Sequence, residues 1–599
     1  MSTAIVTGSP VPGSSLEEDL RALGFDVRLA PDTADAEAAL GGVPGEQRVA
    51  VVDAGFVGHV HALRLGLTDP RFPASAIPGA LTAQPAARQA LTRAVARTGV
   101  DPDVVAKSLE ADGTDVHRPE LGELVAAVPA DPQARNEARQ ALASVDDEAI
   151  RLRTAVKARD GFFTTYCISP YSRYIARWCA RRGLTPNQVT TASLLVALIA
   201  AGCAATGTRT GFVAAGVLLL ASFVLDCTDG QLARYSLQYS TMGAWLDATF
   251  DRAKEYAYYA GLALGAANAS GGGDDVWALA LGAMVLQIGR HVIDFSFNEA
   301  NHDAEALGEL AGASPTASLS GKLDSVGWTV WARRMVVLPI GERWALIALF
   351  TALTTPRITF YMLLIGCALA ACYTTAGRVL RSLTRRARRT DRAAEALADL
   401  SDSGPIAEVL GKTLKAKATL VVAPVVAAVG AAAVVAVSAL TDFGSAWPIV
   451  AAAVYCVTSG LAVARPLKGA LDWLVPPIFR AGEYLTILIL AARADVQGAL
   501  PAAFGLVAAV AYHHYDTVYR IRGNAGAPPH WLVRAIGGHE GRTLVVTVLA
   551  ALFTPTDFAI ALTVLAVAVA LVVLAESIRF WVASAQRGAP AVHDEGEPA

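Results

Sequence analysis

Apolar residues along this chain follow two regimes. Up to about residue 145 they come in short bursts, Ala4-Ile5-Val6-Thr7-Gly8 and Val49-Ala50-Val51-Val52-Asp53-Ala54, set between mixed polar stretches. Such bursts predict buried strands, and the spacing over 15–23 and 90–97 predicts helices. Residues 1–145 are therefore expected to form a soluble α/β domain. A polar helical linker, about 131–157, leads out of it. The stretch 171–182 then mixes Arg173, Arg177, Arg181 and Arg182 with aromatic and apolar residues, which predicts a helix lying on a membrane surface. Apolar runs of spanning length follow. They predict six spans, at about 188–207, 211–233, 243–268, 275–297, 338–355 and 358–377, within a unit covering 155–395. A second hydrophobic block, 415–585, holds five or six more. Residues 586–599 carry Asp-Glu-Gly-Glu in a polar tail expected to be disordered. The expected fold class is a multi-pass α-helical membrane protein with an N-terminal soluble α/β domain.

Composition agrees. Of 599 residues, 54% are hydrophobic and only 17% charged, with a mean hydropathy of +0.41, too apolar for an ordinary soluble protein. The net charge of −3 says nothing about partners in bulk. Seven cysteines are scattered singly without a C-x-x-C pair, which argues against a disulfide scaffold or a zinc ribbon. The segment after Met1 is mixed and polar, so no secretory leader is expected and the first domain is assigned to the cytoplasm.

Four carboxylates stand out against the apolar background. Asp226 and Asp229 are three apart, and Asp247 and Asp251 four apart, so each pair projects from one helical face. A lone ionised group in such surroundings costs several kcal/mol, and a divalent cation is the best compensator. An oxygen-only donor set favours Mg²⁺, Mn²⁺ or Ca²⁺ over zinc. The competing reading has these acids capping helices or pairing with Arg234, Arg252 and Lys254.

Written out, the stretch is D-x2-D-G-x2-A-R-x8-G-x3-D-x3-D, with Gly230, Ala233, Arg234 and Gly243 at its other fixed positions. It resembles the signature of the CDP-alcohol phosphotransferases, also called CDP-alcohol phosphatidyltransferases, and the likeness extends from about Lys157 to about Arg389. Lys157-x-x-Asp160-Gly161-Phe162 and Leu184-Thr185-Pro186-Asn187-Gln188-Val189-Thr190 are similar to the segments leading into that family's first membrane helix. The Lys-x-x-Asp-Gly version looks most like the inositol-phosphate branch, in which a cytidylyltransferase-like domain precedes the membrane enzyme. The resemblance implies a six-helix bundle, commonly homodimeric. It also implies transfer of a substituted phosphate from a CDP-linked alcohol to an acceptor hydroxyl, with release of CMP in phospholipid biosynthesis. Asp226, Asp229, Asp247 and Asp251 would then hold one or two Mg²⁺ or Mn²⁺, with Asp251 also the catalytic base. Thr190, Asp229, Gly230, Ala233, Arg234 and Gly243 would meet the nucleotide. The donor is expected to be CDP-diacylglycerol, or alternatively a soluble CDP-polyol. The acceptor would be a polyol or polyol phosphate such as inositol phosphate or glycerol phosphate, and the lipid bilayer is a partner while nucleic acid is not.

Arginine placement orients the spans. Arg181 and Arg182 precede the first, Arg234 follows the second, Arg333 and Arg334 precede the fifth, and Arg385, Arg386, Arg388 and Arg389 follow the sixth. By the positive-inside rule the aspartates face the cytoplasm. The basic run 378–392 reads as a topology anchor for anionic lipid. Arg290 and Arg378 are candidates for an acceptor phosphate, against an Arg290–Asp294 ion pair at helical spacing.

In the first domain, Val51-Val52-Asp53-Ala54-Gly55-Phe56-Val57 is similar to the strand bearing a metal-binding Asp in nucleotidyltransferases. The loop Gly8-Ser9-Pro10-Val11-Pro12-Gly13-Ser14-Ser15, however, contains two prolines without N–H groups and no basic residue before Arg21. The domain therefore reads as a degenerate nucleotidyltransferase, with Asp53 a polar strand-end residue. A live CTP-using domain is the alternative. The second hydrophobic block resembles an uncharacterised module appended to actinobacterial members of the family. Its polar groups, Arg480 and Glu483, His513, His514, Asp516 and Arg520, then His539, Glu540 and Arg542, read as interfacial anchors and ion pairs, with a second site as the alternative. The rival from another class is a transporter or scaffold whose aspartates bind a transported cation.

Overall fold

A computed structural model describes residues 2–9, 11–157, 160–270, 275–306, 335–384, 389–414 and 422–586. Arg333, Arg334, Arg385, Arg386 and Arg388, most of the glycine loop after Ser270, and the tail from 587 lie outside the described residues.

The first domain is a three-layer α/β unit. Its strands are β1 (Ser2–Thr7), β2 (Phe25–Ala30), β3 (Val49–Asp53), β4 (Val57–Gly58), β5 (Ala74–Ile77), β6 (Ala80–Ala83), β7 (Val116–His117) and β8 (Ala126–Ala127). Six of them form one mixed sheet in the order β2-β1-β3-β6-β5-β7, with β1 parallel to both β2 and β3. Strand alternation sends Ile5, Val49 and Val51 into one core and Ala4, Val6, Ala50 and Val52 into another. Helices α1 (Leu16–Ala22), α2 (Thr33–Gly41), α3 (Val60–Leu67), α4 (Arg88–Thr98) and α5 (Pro102–Ala111) cover the two faces, and α6 (Pro132–Ser144) and α7 (Asp147–Thr154) form the linker. Asp53 ends β3 beside Thr7, and its carboxylate accepts the Gly55 N–H at 2.6 Å, so it closes a turn. Burial raises its pKa.

His61 on α3 is buried with neither ring nitrogen hydrogen-bonded among the described residues, and burial lowers its pKa from 6.5 to about 4. The neutral ring is favoured in the folded state. That contribution, about 3 kcal/mol, is complete above pH 6.5 and is lost as the pH falls toward 4. Limited proteolysis of the full chain should show this domain loosening across that window, and His61→Leu should flatten the response.

The membrane part opens with α8 (Ser169–Arg181), then α9 (Pro186–Ala205), α10 (Arg209–Ser236), α11 (Thr241–Ser270), α12 (Asp275–Ala306), α13 (Ile340–Leu353) and α14 (Pro356–Thr384). Amphipathic α15 (Asp391–Ser401) and α16 (Pro405–Leu414) lead to α17 (Ala423–Leu440), α18 (Trp447–Val463), α19 (Val475–Arg493), α20 (Ala499–Arg522), α21 (His530–Ala535), α22 (Gly538–Leu552) and α23 (Pro555–Gln586). As expected of a surface helix, α8 exposes Tyr171, Tyr174 and Trp178 while burying Ser172 and Ala176. Among the described residues seven helices are long and apolar enough to span a bilayer, including α9, α10, α12 and α14 of the six expected. The other two depart from the expectation. α11 carries too many charges at its start, and α13 has only 14 residues. The Thr185–Gln188 capping box explains why the Leu-Thr-Pro-Asn-Gln segment starts α9.

The C-terminal block packs directly on the first unit. α12 contacts α19 and α20, and α11 contacts α20 and α23. The polar groups there are not interfacial, which corrects that expectation: Arg480, Glu483, His513, His514, Asp516, Arg520, His539, Glu540 and Arg542 are all buried. Arg480, Glu483, His513, Asp516, Arg520 and Arg542 form ion-paired networks, whereas Glu540 accepts the Gly404 and Ala407 N–H groups at 3.0 Å. Arg480 and Arg542 both donate to Asp402 Oδ2, at 3.0 and 2.7 Å, and both reach Glu483. His513 Nε2 lies 3.2 Å from Asp402 Oδ1. Arg520 forks onto Glu576 at 3.1 and 2.7 Å and pairs with Asp516 at 2.8 Å.

Three arginines of the basic run have protein partners, although Arg392 stays exposed. Arg378 pairs with Asp294 at 2.5 Å, Arg392 with Asp303 at 3.2 Å, and Arg389 donates to the Ala470 carbonyl at 3.1 Å. The acidic side of α12 takes two of these charges.

Candidate active site

Helices α10 and α11 are joined by only four residues, the first of which, Leu237, turns the chain in a left-handed conformation at φ 53°. They make little direct contact. Both pack instead along α9, which acts as a wedge and leaves a gap between the two acid-bearing faces. Close approach to α9 is possible because Gly261 and Gly265, one turn apart on α11, face Ala201 and Ala204. A Cβ at 261 would sit 2.9 Å from the Ala201 Cα, and one at 265 would overlap the Ala204 carbonyl. This small-x3-small pattern is a common device for helix approach in membranes. It was legible in the sequence and passed unread. Gly261→Val is expected to push α11 off α9, cost about 1–3 kcal/mol of stability and weaken cation binding; thermal unfolding and Mn²⁺ titration would measure both.

In the gap, one carboxylate oxygen each from Asp226, Asp229 and Asp247 lies within 4.8 Å of the others. Asp229 is buried beside Thr190, and its Oδ2 has no hydrogen-bond partner among the described residues. An orphaned buried carboxylate oxygen is costly, and here it lies in a three-oxygen donor set suited to a hard cation. These residues fit a divalent ion.

Asp251 does not stand free. Lys254, itself fully buried, donates to Asp251 Oδ1 at 3.0 Å, to Ser193 Oγ at 3.1 Å and, more closely, to Asp226 Oδ1. The ion-pairing alternative is thus realised for Lys254, alongside the three-oxygen cluster. Arg252 turns away from the site, donating to Glu255 at 3.0 Å and lying 5.3 Å over the Tyr515 ring. Arg234 donates from Nε to the Ala155 carbonyl at 2.6 Å, tying the end of α10 to the linker. Arg151 supports the same junction, bonding the Tyr235 carbonyl at 2.8 Å. A Cβ at Gly230 would lie 3.4 Å from the Arg234 guanidinium, and one at Gly243 would lie 2.8 Å from Asn187 Oδ1. Ala233 sits one residue before Arg234 on the same helix.

The two acceptor candidates are engaged. Arg290 donates to the Val337 carbonyl at 2.6 Å and to Gln287 at 3.2 Å, while Arg378 is the partner of Asp294. The sequence reading missed the contacts that brace α11 from the C-terminal block. Trp581 stacks on Trp245, two residues before Asp247, with centroids 5.7 Å apart, and Tyr515 hydrogen-bonds His291 on α12. It also missed Glu342, whose Oε1 accepts the Phe163 N–H at 3.3 Å behind Asp160-Gly161.

Comparison with known proteins agrees with this geometry. Residues 183–371 match the family described as CDP-alcohol phosphatidyltransferase, and residues 391–599 match a family of unknown function (DUF5941). A bifunctional IPC transferase and DIPP synthase of Rubrobacter xylanophilus is 34% identical over 173 residues, 26% of this chain and 38% of that protein. Its counterpart in Aquifex aeolicus is 32% identical over 114 residues, 19% of this chain and 26% of that one. An archaetidylinositol phosphate synthase of Pyrococcus horikoshii is 35% identical over 91 residues, 15% of this chain and 47% of that one. The chain thus spans less than half the length of each of these relatives. The signature is complete, three of its carboxylates gather between α10 and α11, and residues 183–371, which contain it, match the CDP-alcohol phosphatidyltransferase family.

Proposed function

We propose that this protein transfers a substituted phosphate from CDP-diacylglycerol to the hydroxyl of a polyol phosphate, inositol phosphate before glycerol phosphate, and releases CMP. The observation that carries the reading is the convergence of Asp226, Asp229 and Asp247 in a gap held open by α9. The names of the relatives, among them an archaetidylinositol phosphate synthase, support the inositol phosphate acceptor. The arginine distribution supports an active site on the cytoplasmic side of the cell membrane, where CDP-linked donors are available.

Asp226, Asp229 and Asp247 would hold Mg²⁺ or Mn²⁺, which supplies charge stabilisation to a pyrophosphate and its leaving oxygen. Thr190 and Gly230 lie beside Asp229, where they would meet the nucleotide. Asp251 takes the proton of the acceptor hydroxyl. The acceptor oxygen then bonds to the phosphorus carrying the diacylglycerol, the bond to the CMP phosphate breaks, and CMP leaves with the electron pair. The first domain has a structural role in this reading. Its Pro-containing loop offers few donors for a triphosphate, and its linker anchors Arg234.

The test is CMP release by the full chain in detergent with CDP-diacylglycerol and either inositol phosphate or glycerol phosphate. CMP formed faster with inositol phosphate supports the reading. Absence of CMP with inositol phosphate removes that acceptor, and absence with both removes this donor–acceptor class.

A further inference from the structure

The four aspartates do not form one uniform acidic pocket. Three of them converge on a single point, while the fourth, Asp251, is joined to Asp226 through the ammonium of Lys254. An i,i+3 pair on one helix would leave such an ammonium reaching for solvent. Lys254 instead crosses to two other helices, to Asp226 on α10 and Ser193 on α9. An ammonium has three donor protons, and three acceptors meet it here. Ser193 is fixed in turn: its hydroxyl donates to the Ser222 carbonyl at 2.8 Å, and the Ser222 hydroxyl donates back to the Ser193 carbonyl at 2.8 Å. Lys254 is completely buried and therefore has no solvent-exposed alternative position at low cost.

From this we infer that Lys254 is a built-in cation that takes the place of a second divalent ion between Asp226 and Asp251, so that the site holds one metal per chain. A divalent ion bridging those two carboxylates would have to displace a buried ammonium whose three protons are all satisfied. Within the cluster of Asp226, Asp229 and Asp247, Lys254 hydrogen-bonds Asp226, and the orphaned Asp229 oxygen remains open to one hard cation. Lys254 is a positioning residue: it holds Asp251 and Asp226 at a fixed separation without itself meeting substrate.

The inference rests on the cation-binding part of the proposed function and is tested without turnover. Mn²⁺ is titrated into the purified full chain and its binding followed by electron paramagnetic resonance. One Mn²⁺ per chain, with no spin-coupled pair at saturation, is expected. Asp229→Asn should lose it. Lys254→Met should gain a second Mn²⁺ and a coupled signal, whereas Lys254→Arg should keep one. Two Mn²⁺ per wild-type chain, or none, overturns the inference, and the wild-type measurement decides this even where Lys254→Met does not fold. One bound Mn²⁺ together with no CMP release leaves Lys254's role standing and overturns the substrate assignment alone.

Discussion

Asp229→Asn is expected to abolish Mn²⁺ binding and to slow CMP release by about 10²–10³-fold, the rate equivalent of several kcal/mol of lost charge stabilisation. Its carboxylate is buried, and among the described residues one oxygen has no hydrogen-bond partner. Asp251→Asn should behave differently. It removes the proposed base, so CMP release falls by about 10²–10⁴-fold while the Mn²⁺ stoichiometry is retained. The pair of variants separates cation holding from proton transfer. If Asp251→Asn lost Mn²⁺ as fully as Asp229→Asn, the two roles would have to be merged. If both bound and turned over normally, the assignment of these two residues would fail; no CMP release from the wild-type chain together with an altered ion flux in the variants would favour the transporter reading.

Asp402→Ala should destabilise the protein by about 3–5 kcal/mol, measured as a fall in the thermal midpoint of the detergent-purified chain. Asp402 accepts from Arg480, Arg542 and His513, all buried, so its removal leaves two guanidinium groups sharing Glu483 alone. The penalty comes mostly from stranded charge, not from the value of any one bond. A change below about 1 kcal/mol would mean that these groups find other partners and do not hold the block together. The same variant should also lower CMP release, because the C-terminal block braces α11 through Trp581 on Trp245 and reaches Arg252 and α12 through Tyr515.

Much of the site could be read along the chain because its information is local. Residues three and four apart on a helix share a face wherever that helix lies, so Asp226 with Asp229 and Asp247 with Asp251 were legible as pairs. The strands of the first domain were legible for a similar reason, since Ala4–Val6 and Val49–Val52 are apolar bursts too short for anything but buried strands. The polar groups of the C-terminal block were visible as residues but not as a network. Asp402 reaches His513 and Arg542, more than a hundred positions away, and no spacing rule connects them. Arg378 and Arg392 were legible as part of a charge run, but their partners Asp294 and Asp303 were not, because a charge run carries no record of its partners.

The sequence by itself determined the chemistry on offer: a soluble α/β unit, two apolar blocks, and four carboxylates with Arg234 in a family signature. Only the tertiary structure decided how that chemistry is divided. The wedge of α9, permitted by Gly261 and Gly265, sets the gap between α10 and α11. It also brings Ser193 beneath Lys254, so that the ammonium bridges Asp226 and Asp251 while Asp226 still converges with Asp229 and Asp247. That outcome depends on distances between helices, which periodicity along a single helix does not encode.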